Sequence, residues 1–178
     1  MIAYPSGHEP DLWDPNPSQS GYRFALGNTA RTTSASPPLI ALCMNPSHAL
    51  EDQSDKTINR LIQASADHGY AGWIVLNLYP ERSPKPSALS AFDPALSATN
   101  KAAITRVLNR YKATEVLGAW GNLANDTLRR AKLDVLPMLT RLGVQVFTYD
   151  TLTKDGNPRH PSPQGGYLPM LGPKVFLT

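Results

Sequence analysis

Cysteine is nearly absent from this chain: Cys43 is the only one in 178 residues. A single thiol excludes an intramolecular disulfide framework, a four-cysteine zinc site and an iron–sulfur cluster. Charge is also scarce, at 17% Asp, Glu, Lys and Arg against roughly 25% in an average domain. The 17 basic and 14 acidic residues leave a formal +3, which permits a nucleic-acid partner without demanding one. No apolar run approaches the roughly 18 residues of a membrane span, and residues 1–20 lack the basic-then-apolar layout of a signal peptide. These absences lead to the expectation of a cytoplasmic, soluble protein with no membrane partner. Also missing after the first apolar run are G-x-G-x-x-G and G-x-x-x-x-G-K-[ST], so dinucleotide and P-loop readings lose their main support.

What is present in excess is proline, 17 residues or nearly twice the average share of about 5%. Most prolines fall in residues 5–38, 80–94 and 158–173, which read as long structured loops. Between them the hydrophobic pattern is orderly. Leu39-Ile-Ala-Leu-Cys-Met44 is a continuous apolar run, as expected of a strand buried on both faces. Asp55 or Ser54 can cap a helix from about Lys56 to His68, with Ile58, Leu61, Ile62 and Ser65 on one face. Trp73-Ile-Val-Leu76 is a second buried strand, and Ser97 or Thr99 starts a helix running to about Lys112. Residues 115–120 form a third strand. A helix from Leu123 to about Lys132 and a separate helical piece around Pro137 lead to a fourth strand at 144–149. Tyr22 to Leu26 suits a short edge strand. Strands alternating with helices predict right-handed βαβ units. The expected fold is an α/β, three-layer α/β/α sandwich around a central four-stranded, mostly parallel sheet. Residues 1–38 are an arm and linker of the same unit as the single domain at 39–178.

In open α/β sheets ligands bind beyond the carboxyl ends of the strands. Here those ends carry amides, hydroxyls, aromatics and imidazoles without an acidic cluster, and no second histidine or cysteine stands at metal spacing. No metal and no cofactor are expected. Leu42-Cys-Met-Asn45-Pro46-Ser47 after the first strand resembles the first motif of the uracil-DNA glycosylase superfamily, closest to its single-strand-selective and mismatch-specific Asn-Pro branches. His160-Pro161-Ser162-Pro163 after the last strand is similar to its second motif. Leu76-Asn77-Leu78-Tyr79-Pro80 resembles the strand end bearing the pocket asparagine, and residues 116–124 resemble the third strand with its Trp-Gly turn. Asn45-Pro-Ser, Trp120-Gly-Asn and Lys154-Asp-Gly-x-Pro-Arg159-His-Pro also resemble a bacterial domain family of unassigned function.

The resemblance implies a DNA glycosylase that flips a pyrimidine nucleotide out of DNA and hydrolyses its N-glycosidic bond, in repair or antiphage defence. Asn45 and His160 are its catalytic residues: the Asn45 amide oxygen can hold a water, and the His160 imidazole can donate to a pyrimidine O2 as charge develops there. Asn77 can read the Watson–Crick edge of the base. Met44, Ser47, His48 and Tyr79 are further base contacts, with Trp120 or Phe92 as alternative stacking partners. DNA contacts are expected from Lys154, Arg159 and Ser162. Gln164, Tyr167 and Leu168 follow the second motif, where the superfamily carries a wedge. In the uracil-restricted branch a tyrosine stands at the position of Ser47 and blocks groups on pyrimidine C5, so Ser47 implies a 5-substituted base. Plain uracil, a non-catalytic nucleic-acid-binding module and a hydrolase of free nucleosides or nucleotides remain open alternatives. The protein is expected to be a monomer.

Overall fold

The computed structural model describes residues 2–16, 20–162, 166 and 168–177. Seven strands form one mixed sheet: β1 (Leu12–Asp14), β2 (Ala25–Asn28), β3 (Pro38–Cys43), β4 (Gly72–Asn77), β5 (Glu115–Gly118), β6 (Gln145–Tyr149) and β7 (Lys174–Phe176). Their spatial order is β1-β2-β4-β3-β5-β6-β7. Three helices accompany them, α1 (Lys56–Asp67), α2 (Pro94–Arg110) and α3 (Asp126–Arg141).

The four strands legible in the sequence are the inner ones, β4, β3, β5 and β6, and they run parallel. The four-stranded sheet expected from the sequence is corrected to seven strands, because β1 and β2 add antiparallel beside β4, and β7 beside β6. β2 replaces the edge strand expected at residues 22–26. It lies inside the sheet, covered by β1 from the arm that the sequence presents as irregular. Its sequence, Ala-Leu-Gly-Asn, has no β-branched residue to announce a strand.

Side chains on the inner strands alternate between two cores. Leu39, Ala41, Cys43, Trp73 and Val75 pack with Ile58, Leu61 and Ile62 of α1. Ile40, Leu42, Ile74 and Leu76 pack with Ile104 and Leu108 of α2 and with Leu128, Ala131 and Val135 of α3. Period-two alternation with both faces covered explains why β3 and β4 read as continuous apolar runs.

Two helix boundaries differ from expectation for local reasons. α2 starts at Pro94, whose fixed φ suits the first turn, and Asp93 caps it by accepting from Ala95 N at 2.8 Å. α3 runs unbroken through Pro137, where two pieces are expected, and it begins after the Asn125 cap. Pro137 removes the donor that the Leu133 carbonyl would receive, but both residues lie on the solvent face, where water can substitute. Among the described residues, no helix is long and apolar enough to cross a membrane.

Candidate functional site

The parallel register pairs Cys43 with Asn77, so β3 and β4 end level with each other. Leu78 N donates to Cys43 O at 2.8 Å and Tyr79 N to Met44 O at 3.1 Å, extending the pairing into the loops. Beyond these ends, bounded on one side by the first residues of α1, lies a cavity of about 750 Å³. That is within the roughly 300–1,000 Å³ of small-molecule sites. Met44, Asn45, Ser47, Asn77, His160 and Ser162 all line it, bringing together residues up to 118 positions apart in the chain.

Asn45 is held by the loop that follows β4. Its Nδ2 donates to Pro46 O and Ser83 O, both at 2.9 Å. Because both partners are carbonyls, the orientation of the amide is fixed, and Oδ1 is the end left for another donor. Ser83 N also donates to Pro46 O at 2.9 Å, which clasps the proline-rich loop to the first motif.

His160 receives the Ser162 N–H at Nδ1 over 3.1 Å. An accepting Nδ1 places the proton of the neutral ring on Nε2, so the imidazole has one N–H to offer. Burial pushes its pKa below the usual histidine value. The backbone of the Trp120-Gly-Asn turn fits against this residue: Gly121 has φ +68° and donates to Pro158 O at 2.9 Å. A Cβ there would stand 3.0 Å from His160 Cβ. Gly118 is similarly close to Pro158, whose Cγ would lie 2.5 Å from an added Cβ.

A polar network fixes the same loop. Asn122 accepts from Thr153 Oγ1 at 2.8 Å and from Asn157 Nδ2 at 3.2 Å, and donates to Asp155 at 2.6 Å. Asn157 Oδ1 accepts from Trp120 Nε1 at 3.3 Å and Lys132 Nζ at 2.7 Å.

Asn77 is fully buried, yet neither its Nδ2 nor its Oδ1 has a hydrogen-bond partner among the described residues. Its main chain is well held: Asn100 Nδ2 of α2 donates to Asn77 O and Leu78 O at 2.9 and 3.0 Å. The strand end is therefore clamped by α2, and Asn77 itself lines the cavity. Leaving both ends unpaired costs about 1–3 kcal/mol for each group, a penalty that a ligand with a matching donor and acceptor removes.

Other expected contacts are placed differently. Tyr79 does not line the cavity. It is buried in the core on the α2 face, its hydroxyl accepts from Asp93 N at 3.0 Å, and its ring lies 5.8 Å from Phe92. β4 ends at Asn77, so the alternation that would put Tyr79 on the face of Asn77 no longer holds, and its ring joins the α2-side core. Trp120 is also core. His48 is exposed and outside the cavity lining, with Nδ1 3.0 Å from Ser47 Oγ. Ser162 lines the cavity and has its Oγ buried, without a partner among the described residues. Lys154 and Arg159 are exposed, and Arg159 Nε donates to Thr151 Oγ1 at 3.1 Å. Gln164 and Tyr167 lie outside the described residues, while Leu168 packs at the margin of the α1-side core.

The sequence reading missed Arg23 and Ser83, and explained Asp55 by helix capping although it stands near the first motif, where it could position water. Asp55 does cap α1, accepting from Ile58 N at 2.9 Å, and it also lines the cavity. Among the described residues, no group of three or more His, Cys, Asp or Glu is arranged to hold a metal.

Over residues 23–162 the chain matches the family described as a protein of unknown function (DUF1643). The matched span opens and closes on cavity-lining residues, Arg23 and Ser162. No curated protein and no solved structure matches the chain.

Proposed function

The chain belongs to the DUF1643 family, and we propose that it is a DNA glycosylase that accepts a flipped, 5-substituted pyrimidine and releases the base by hydrolysis. The observation that carries this reading is the unpartnered Asn77 amide in the same cavity as His160 and Asn45. A donor and an acceptor on one rigid amide match the edge of a pyrimidine, and base flipping is the usual route by which such an edge reaches an enclosed site.

The chemistry follows from the hydrogen-bond directions. As the C1′–N1 bond breaks, its electron pair moves to the base and charge builds on O2. The Nε2–H of neutral His160 stabilises that charge without a prior proton transfer. Asn45 Oδ1 holds the water that adds to C1′. An amide cannot take the water's proton, which passes through solvent to the departing base. Asn45 thus positions the nucleophile, and the barrier is lowered mainly from the leaving-group side. Ser47, whose side chain is small, leaves room beside C5, and Ser83, Pro84 and Pro86 of the proline-rich loop also line the cavity.

The test is incubation with DNA containing uracil, 5-hydroxymethyluracil or 5-hydroxymethylcytosine, followed by alkali to cut abasic sites. Breaks formed by the wild type and lost in both Asn45→Ala and His160→Ala support the enzyme. Binding without breaks makes the protein a nucleic-acid-binding module. Release from free nucleosides alone makes it a nucleoside hydrolase. Release confined to uracil removes the 5-substituent from the proposal.

A further inference from the structure

The residue of this cavity that the glycosylase chemistry leaves unused is Arg23. It is 2% exposed, and it lines the same space as Asn77. Its Nη1 donates to Ala49 O at 2.7 Å, whereas its Nε is buried without a partner among the described residues. No ion pair among the described residues includes Arg23. The acid that most favours its charge is Asp55, which directs a carboxylate oxygen to the N-terminus of α1. Burial pushes the guanidinium's pKa down to about 10, a direction also favoured by the nearby Arg82 cation, yet at neutral pH the charge remains.

Strand pairing brings Arg23 to the end of β4 that carries Asn77. β2 pairs antiparallel with β4, with Leu26 opposite Val75. Arg23 precedes β2, where its N–H donates to Pro80 O at 2.9 Å, in the loop beyond Asn77. Asn77 and Arg23 line one cavity: an amide whose two ends, and a guanidinium whose Nε, have no hydrogen-bond partner among the described residues.

A guanidinium is seldom buried without a carboxylate, because removing an ion from water costs several kcal/mol unless a counter-charge replaces the lost hydration. The protein provides that replacement only in part. A ligand oxyanion would complete it, and the planar guanidinium suits a carboxylate or phosphate.

We propose that Arg23 is the cation of an oxyanion-binding subsite in the cavity, so that the ligand read by Asn77 also carries an acidic group. In the glycosylase reading, on which this version of the subsite rests, the group is a carboxylate on the pyrimidine ring, adjacent to the edge that Asn77 contacts. A free nucleotide presents the same oxyanion chemistry through its phosphate.

Calorimetric titration of the full chain separates these sources. The ligands are uracil, 5-carboxyuracil, deoxyuridine monophosphate and inorganic phosphate, at one fixed low ionic strength. The expected result is binding of at least one charged organic ligand about tenfold or more tighter than uracil, the scale of a hydrogen bond to a charged group. A preference for 5-carboxyuracil assigns the oxyanion to the ring. A preference for deoxyuridine monophosphate, with phosphate competing, assigns it to a nucleotide.

In Arg23→Met the charged-to-uracil ratio should collapse towards one, while Arg23→Lys retains part of it. If the Met variant does not fold, the drop in ratio in the Lys variant decides. A wild type that binds neither charged ligand better than uracil overturns the subsite, as does a ratio that survives substitution of Arg23. Base release from DNA is scored separately. Arg23-dependent binding without release keeps the subsite and rejects the glycosylase, whereas release with an Arg23-independent ratio does the reverse.

Discussion

Three side chains account for the proposed chemistry, and each has its orientation set by a different kind of constraint. The tautomer of His160 follows from one main-chain donor, and the amide of Asn45 from two carbonyl acceptors. Asn77 is fixed by the strand that carries it and by the Asn100 clamp behind it. Loss of the His160 donor in His160→Ala should slow base release by about 10²–10³-fold, the usual effect of removing one donor to a developing oxyanion. DNA affinity should change little. Single-turnover kinetics beside a binding titration check this, and near-full release by the variant would refute the role of His160. Asn77→Leu removes two polar ends that have no partner among the described residues and keeps the number of side-chain heavy atoms. The variant should be as stable as the wild type or more so, by up to about 1–3 kcal/mol, while losing base release. A clear fall in its melting temperature would mean that the amide serves the fold instead.

Elements convert these residues into a site. β3 and β4 end in register, α1 brings Asp55 and Ile58 to one wall, and the Trp-Gly-Asn turn packs directly on His160. The polar network around Asn122 and Asn157 ties the loop of the second motif to α3 through Lys132. α3 therefore supports the site despite carrying none of its chemistry. Its interior proline is an obvious weakness. Proline in a helix interior costs about 3 kcal/mol relative to alanine, part of which is returned because proline restricts the unfolded chain. Pro137→Ala should accordingly stabilise the protein by about 1–2 kcal/mol, read as an increased midpoint in chemical denaturation. An unchanged or lower midpoint would show that α3 is bent to fit and gains nothing from a regular turn.

At the scale of the whole molecule, the buried imidazole links the site to global stability. Burial lowers the folded-state pKa of His160, so on acidification the unfolded chain binds its proton first. The contribution of this group is intact above the ordinary histidine value of about 6.5 and is lost progressively as pH falls from there to the lower folded-state value. Protonation at Nδ1 also forfeits the bond from Ser162 N. The melting temperature should decline between about pH 7.5 and 5.5, and less steeply in His160→Gln. His8, also lowered by burial and by Arg31, adds a slope of the same sign in both proteins. Parallel curves for the two proteins would contradict the depressed His160 pKa.

Much of the central architecture was legible in the residues themselves. β3 and β4 are apolar on both faces because helices cover both faces, and that leaves an uninterrupted hydrophobic run in the sequence. α1 was equally clear, since its Asp55 cap and its Ile58, Leu61, Ile62 face depend on local chain geometry. The strand-end motifs containing Asn45, Asn77 and His160 were visible for a related reason: turn residues interrupt apolar runs sharply. The tertiary structure alone decided that the arm supplies β1 and β2 and that the last residues described supply β7. Strands of only three or four residues form because a neighbouring edge accepts their hydrogen bonds, and nothing in their own sequence records that edge. It also decided that Tyr79 is core, that the Asn77 amide has no partner among the described residues, and that Arg23 joins the cavity. Local pattern specifies which residues turn and which are buried, whereas the partners of a buried polar group come from distant segments and exist only once the chain has packed.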